Sequence, residues 1–166
     1  MVPVADFNGD GRVDFFFAAT TFGDDAQVIH WVTLNVVGDP SALGLTSHNT
    51  DSGIVSGAHG SVGSWLGTGD FNNDRKLDIV TSFNFVPLSN SNPYSEAVIA
   101  LSDGQGGFTS TVTVPATKTS NVSGLGLDLA VGDANSDGNL DLYVTSGGTT
   151  QIFYGDGAGS FSTTAP

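Results

Sequence analysis

Three stretches of the chain carry the same arrangement of oxygen-bearing side chains. They read Asp6-Phe-Asn8-Gly-Asp10-Gly-Arg12-Val-Asp14, then Asp70-Phe-Asn72-Asn-Asp74-Arg-Lys76-Leu-Asp78, then Asp133-Ala-Asn135-Ser-Asp137-Gly-Asn139-Leu-Asp141. Nine of the 17 acidic residues fall in these three loops. Three carboxylates within nine residues repel one another unless a cation neutralises them. Alternate residues of a tightly curled loop point inward, so side-chain oxygens at positions 1, 3, 5 and 9 suit a hard ion. The backbone carbonyl of position 7 (Arg12, Lys76 or Asn139) closes the ring. Ca2+ accepts about six to eight oxygens in irregular geometry, whereas Mg2+ demands an octahedron and keeps its waters. No His or Cys stands beside the loops, which makes Zn2+ and Cu2+ poor occupants. Up to three Ca2+ ions are therefore expected, one per loop.

The pattern overlaps the start of an EF-hand loop and then leaves it. An EF-hand continues to a bidentate Glu at position 12 between two helices. Position 12 here is Phe17, Thr81 or Val144, inside β-branched and aromatic runs. Clusters of Asp, Asn and Gly also form turns that hold no metal. The first Asp of the pattern recurs after 64 and then 63 residues, and that constancy favours ligands over coincidental turns. The middle loop departs from the pattern, with Arg75 where Gly gives the sharp turn and Lys76 after it. A left-handed Arg costs about 1 kcal/mol, and two cations oppose a third. The middle site is expected to be the weakest.

The elements that must hold these loops are strands. Gly makes up 23 of 166 residues and, with Asn and Pro, interrupts almost every window long enough for a helix. The apolar runs are short and β-branched or aromatic, as in Val28–Val32, Leu77–Val80, Ala97–Leu101 and Leu140–Val144. A second element accompanies each acidic loop. Asp103-Gly-Gln-Gly-Gly-Phe108 lies 33 residues after Asp70, and Asp156-Gly-Ala-Gly-Ser-Phe161 lies 23 after Asp133. Asp39, 33 after Asp6, marks a degraded copy. Each repeat then reads as strand, acidic loop, strand, variable loop, strand, Asp-Gly turn, strand. In the middle repeat the strands are expected at Ser61–Thr68, Leu77–Phe85, Glu96–Leu101 and Gly107–Val114. The fold class is all-β, built as propeller blades of four antiparallel strands. Blades are expected over residues 1–60, 61–123 and 124–166. The first lacks most of its first strand, and the third stops as its fourth strand begins.

Composition narrows the function classes. Seventeen acidic against four basic residues give a formal charge of -13, which argues against nucleic acid and anionic membranes as partners. Apolar residues make up 39%, enough to build a core. The absence of Cys excludes disulfides, thiolate metal sites and a catalytic thiol. No apolar run is long enough for a membrane helix, and the first residues carry no signal-peptide pattern. There is no Gly-x-Ser-x-Gly elbow, no phosphate loop and no His-Glu-x-x-His. The chain is expected not to be an enzyme.

On these motifs the sequence resembles the FG-GAP and VCBS repeat families, the blades of integrin-alpha-like β-propellers. Asp-x-Asn-x-Asp-Gly-x-(Leu/Val)-Asp, three times with the middle copy degenerate, and Gly-Asp-Gly-x-Gly-x-Phe at Gly155–Phe161 carry the resemblance over nearly the whole chain. It implies calcium between the first two strands of each blade, in a secreted or cell-surface protein used for adhesion or recognition. Such propellers close with about seven blades. Three do not close a ring, so the remaining blades of a longer chain, or self-association, are expected to complete it. An extracellular carbohydrate-active enzyme (lyase or hydrolase) built on a propeller, or a structural spacer, are the alternative readings.

In a four-stranded meander the acidic loop and the Asp-Gly turn share one face. The variable loop Asn84–Ser95 and the connectors Thr46–Gly60 and Ala116–Ser123 share the other, where a glycan or protein ligand is expected to bind. Asn90, Asn92 and Tyr94 are candidate contacts. His30 reads as a packed strand residue, and His48 and His59 as connector residues without metal-ligand spacing. Asp24, Asp25 and Asp51 read as solvated loop acids. Trp65 reads as core, and Phe15, Phe17, Phe108 and Phe161 as packing between blades. Asn121-Val122-Ser123 is a glycosylation sequon.

Overall fold

The structure is a computed structural model describing residues 4–7, 9–22, 26–37, 44–56, 58–87, 94–105, 107–114, 119–120 and 127–165. Every regular element among them is a strand, and all pairings are antiparallel. The protein is all-β. No helix of the described residues is long and apolar enough to cross a membrane.

The first sheet runs β1 (Val4–Ala5), β2 (Asp14–Phe22), β3 (Ala26–Val37) and β4 (Gly44–Ser56) in sequence order. The second runs β5 (Ala58–Gly69), β6 (Asp78–Pro87), β7 (Tyr94–Ser102) and β8 (Phe108–Thr113), with β9 (Thr119–Ser120) also paired to β7. The third runs β10 (Asp128–Gly132), β11 (Asp141–Ser146), β12 (Thr149–Gly155) and β13 (Phe161–Ser162). A meander of this kind places the first and third connections of each sheet at one end and the second at the other.

Several segments expected to be loops are strand. Within Thr46–Gly60, β4 pairs along β3 from Val37↔Gly44 to Ala26↔Ser56, and β5 begins at Ala58. His48 therefore sits opposite Thr33, His59 opposite Val86, and Asp51 opposite His30. The segment is polar, so it lacks an apolar signal, yet its Thr, Ile and Val residues suit extended backbone and β3 supplies ladder partners. In the variable segment, Asn84 pairs Ser95 and Phe85 pairs Tyr94. Pro87 ends β6, a strand position that tolerates a missing N–H. Thr119 and Ser120, expected in a connector, pair Ser95 and Tyr94. Asp24, Asp25, Asp39, Asn90, Asn92 and the Asn121–Ser123 sequon lie outside the described residues. So do the side chains of Phe15, Phe17, His30 and Trp65.

Among the residues whose side chains are described, the main buried cluster lies between the second and third sheets. Phe71, Val80, Ile99, Leu127, Leu142 and Phe153 are each at most 1% exposed and form one cluster. Each such side chain contributes roughly 1.5–3 kcal/mol by leaving water. From Asp78 to Ser82 every residue of β6 is buried, so this strand is covered on both faces. On β12, by contrast, Thr149–Gln151 are exposed while Phe153 and Gly155 are buried. Gly67 and Gly69 let β5 approach the third sheet closely. A Cβ on Gly67 would stand 2.9 Å from a Val131 methyl, and one on Gly69 would collide with Leu140.

Candidate metal centre

Each acidic loop joins the first two strands of its sheet, so residues 6–13, 70–77 and 133–140 occupy equivalent places. Over the described residues their backbones follow one path. Position 6 is left-handed in all three, with φ of 82° at Gly11, 66° at Arg75 and 90° at Gly138. Position 4 is left-handed as well, with φ of 75° at Gly9, 57° at Asn73 and 63° at Ser136. The sharp turn is expected at position 6 alone, so the second left-handed position is a finding of the structure. The signal for position 4 is its small or turn-forming residue types, Gly, Asn and Ser.

Position 1 organises the loop. Asp6 accepts the N–H groups of Gly9 (2.7 Å), Asp10 (3.1 Å) and Gly11 (2.8 Å). Asp70 accepts those of Asp74 (3.0 Å) and Arg75 (2.7 Å). Asp133 accepts those of Ser136 (2.7 Å), Asp137 (3.2 Å) and Gly138 (2.9 Å). Position 5 then accepts the N–H of position 7: Asp10 from Arg12 and Asp137 from Asn139 at 2.8 Å, Asp74 from Lys76 at 2.9 Å. At position 3, Asn72 and Asn135 accept the N–H of position 5 at 3.2 and 3.1 Å. Asn8 lies outside the described residues. The left-handed residues turn successive N–H groups inward, and the carboxylates gather them.

Position 9 does something different. Asp14, Asp78 and Asp141 are all 0% exposed. Each accepts the N–H of position 2: Phe7 at 2.8 Å, Phe71 at 2.9 Å, Ala134 at 2.7 Å. The second oxygen of Asp78 accepts the Ser102 N–H, and that of Asp141 the Gly155 N–H, both at 2.8 Å. The carboxylate thus ties the acidic loop to the end of the third strand of its sheet. Burial pushes the Asp78 carboxyl up to about 6, against the pull of the Ser102 and Phe71 N–H groups and with help from the charges of Asp74 and Asp70.

Two loop acids, Asp74 and Asp137, shift the other way. Burial works against ionisation of Asp74, but the Lys76 N–H, the Lys76 ammonium and Asn72 outweigh it and hold the carboxyl below its ordinary value. Asp137 is lowered by the Asn139 N–H and by Asn135. The Asp74 Oδ2 lies 3.2 Å from Lys76 Nζ, so a cationic side chain already sits on the middle loop.

The Asp-Gly turns lie at the same end. Asp103 accepts the N–H groups of Gln105 (2.7 Å) and Gly107 (2.9 Å), and Asp156 those of Ala158 (2.8 Å) and Ser160 (2.9 Å). Phe7 and Phe71, at position 2, are 2% and 1% exposed. Phe recurs at position 2 of the first two loops, and that recurrence is the sequence signal for this packing. Phe71 meets Phe161 of the third sheet edge to face, with ring centres 6.1 Å apart, and Phe108 is buried. A groove of about 460 Å3 beside the third loop is lined by Asp137, Asn139, Tyr154, Asp156, Ser162 and Thr164, on the loop end of the sheet.

The donors fit a hard cation in kind, since every candidate ligand is an oxygen. The loop path fits as well, because it is curled by its own hydrogen bonds. Among the described residues, no three acidic groups are drawn together closely enough to hold an ion. The carboxylates of positions 1 and 5 are turned onto loop amides instead. Oδ1 of Asp6 and of Asp133 each accepts two N–H groups, whereas Oδ2 of Asp6 and of Asp133 and both oxygens of Asp70 accept one; an oxygen that accepts one N–H retains a further lone pair for an ion. Compared with family models, with curated proteins and with solved structures, the chain matches none.

Proposed function

We propose that the chain is a calcium-stabilised segment of an FG-GAP/VCBS-type β-propeller, belonging to a secreted or cell-surface protein that acts in adhesion or ligand recognition. The observation that carries the calcium reading is the set of buried position 9 carboxylates, Asp14, Asp78 and Asp141, each at the foot of a loop rich in oxygen donors. At Asp78 burial disfavours the charged form, and a divalent ion held by positions 1, 3, 5 and 9 would reverse that penalty.

The role is structural. Extracellular calcium at about millimolar levels suits loops of modest affinity. With a Kd of about a tenth of the free calcium, each site adds roughly 1.4 kcal/mol to stability. Recognition of a glycan or protein falls to the opposite face, with Tyr94, Asn90 and Asn92 as contacts. The test is a thermal melt of the chain in millimolar Ca2+, in millimolar Mg2+ and in EDTA. A large upward shift in Ca2+ alone is expected, and it should shrink in Asp10→Ala and Asp137→Ala. A cooperative melt indifferent to calcium would overturn the reading. A glycan and matrix-protein binding screen then separates a recognition module from a spacer.

A further inference from the structure

The second and third acidic loops touch one another, although 63 residues separate their equivalent positions. Asn73, at left-handed position 4 of the middle loop, donates through Nδ2 to Oδ1 of Asn139, at position 7 of the third, at 2.9 Å. Gly157 lies directly over this amide pair, and a Cβ there would run into Asn139 Oδ1 and Asn73 Nδ2. Two residues on, the Gly159 N–H donates to the Phe71 carbonyl at 3.1 Å. The 156–160 turn of the third sheet therefore clamps the middle loop at positions 2 and 4.

The middle loop is the one that needs such help. It lacks glycine at both left-handed positions, where the first loop has Gly9 and Gly11. A Cβ on Gly9 or Gly11 would meet nothing within 4 Å. The corresponding turn of the second sheet faces its own loop, since a Cβ on Gly104 would meet the Lys76 stem.

We propose that Asn139 and Gly157 are positioning residues for the middle loop, so that the third sheet sets the shape of a loop belonging to the second. The middle loop is then preformed from outside its own sheet, and its ion affinity depends on a side chain of the next repeat. That last consequence rests on the calcium reading; the latch itself does not.

The test is amide hydrogen exchange by NMR on the full chain in metal-free buffer, for wild type, Asn139→Ala, Asn139→Asp and Asn73→Ala. The probes are the Asp74 and Arg75 amides, which donate to Asp70, with the Gly11 amide of the first loop as internal reference. Asn139→Ala and Asn73→Ala should each speed exchange at Asp74 and Arg75 about tenfold relative to Gly11. Asn139→Asp, whose carboxylate still accepts from Asn73, should restore the wild-type rates. Unchanged rates at Asp74 and Arg75, an equal rise at Gly11, or failure of the Asp variant to rescue would each overturn the proposal. A calcium titration of the same variants and of Asp74→Ala separates the two ideas. Weaker binding in Asn139→Ala at a site that Asp74→Ala abolishes extends the latch to the ion. Absence of calcium binding even in wild type would overturn the calcium reading and leave the exchange result standing.

Discussion

Asp78 holds a carboxylate where water does not reach, and its consequences show in pH dependence. Its folded pKa of about 6 lies above the ordinary 3.8. Between those values the native chain binds more protons than the unfolded chain. The group's stabilising contribution is therefore full below 3.8 and is lost as pH rises through about 6. Asp74, Asp137 and Asp156 are shifted down, so their contributions hold above the ordinary value and fade only at lower pH. For Asp156 burial opposes the shift, and the Ala158 and Ser160 N–H groups outweigh it. In metal-free buffer, wild type should gain melting temperature relative to Asp78→Asn as pH falls from 7 to 4.5. A difference between the two that stays constant with pH would refute titration of Asp78 near 6. Arg75 makes a second residue-scale prediction. Its φ of 66° costs roughly 1 kcal/mol in a non-glycine residue, so Arg75→Gly should stabilise the metal-free chain by up to that amount in urea unfolding. Loss of stability would show that the Arg side chain contributes packing that outweighs the strain.

At the scale of elements, position 9 binds the second and third loops to the hairpin that follows, and in the third sheet glycine is required where the two meet. A Cβ on Gly155 would strike the Leu140 carbonyl, a backbone atom that has no room to yield. Gly155→Ala should cost about 1–3 kcal/mol by overpacking and loosen the bond from its N–H to Asp141. Gly148, in the two-residue turn between β11 and β12, is left-handed, but a Cβ there would meet nothing within 4 Å. Gly148→Ala should therefore cost only about 1 kcal/mol, and equal losses in the two variants would contradict the clash. The middle strands were legible in the sequence because apolar runs such as Ile79–Val80 and Ala97–Leu101 announce themselves. Loop position 6 was legible because glycine marks it in two of the three copies. The long polar strand β4 was hidden, because its pairing comes from β3 and not from its own hydrophobicity. The Ser102 and Gly155 N–H groups that anchor position 9 were hidden for a different reason: a backbone donor carries no residue-type signal. The Asn73–Asn139 pair was hidden because it joins two repeats, and spacing within one repeat says nothing of its neighbour.

At the scale of the whole molecule, charge and architecture meet at one end of the sheets. The chain carries a formal -13, and the acidic loops and the Asp-Gly turns all project at the loop ends of their sheets. Two effects of added salt must be separated there. Monovalent ions screen the mutual repulsion of exposed acids and relieve it in a graded way. A bound divalent ion acts by mass action on the folded state alone. Three sites of about 1.4 kcal/mol each amount to roughly 4 kcal/mol. At about 2–4 °C per kcal/mol for a domain of this size, that predicts a rise of roughly 8–16 °C in melting temperature. The comparison to make is 5 mM CaCl2 against 15 mM NaCl, which have equal ionic strength, each with the chain first stripped of metal. Binding predicts the full rise in CaCl2 and almost none in NaCl. It also predicts that Lys76→Ala adds to the calcium response, because the ammonium now paired with Asp74 occupies the ground an ion would take. Equal shifts in the two salts would assign the whole effect to screening and leave the loops as hydrogen-bonded turns.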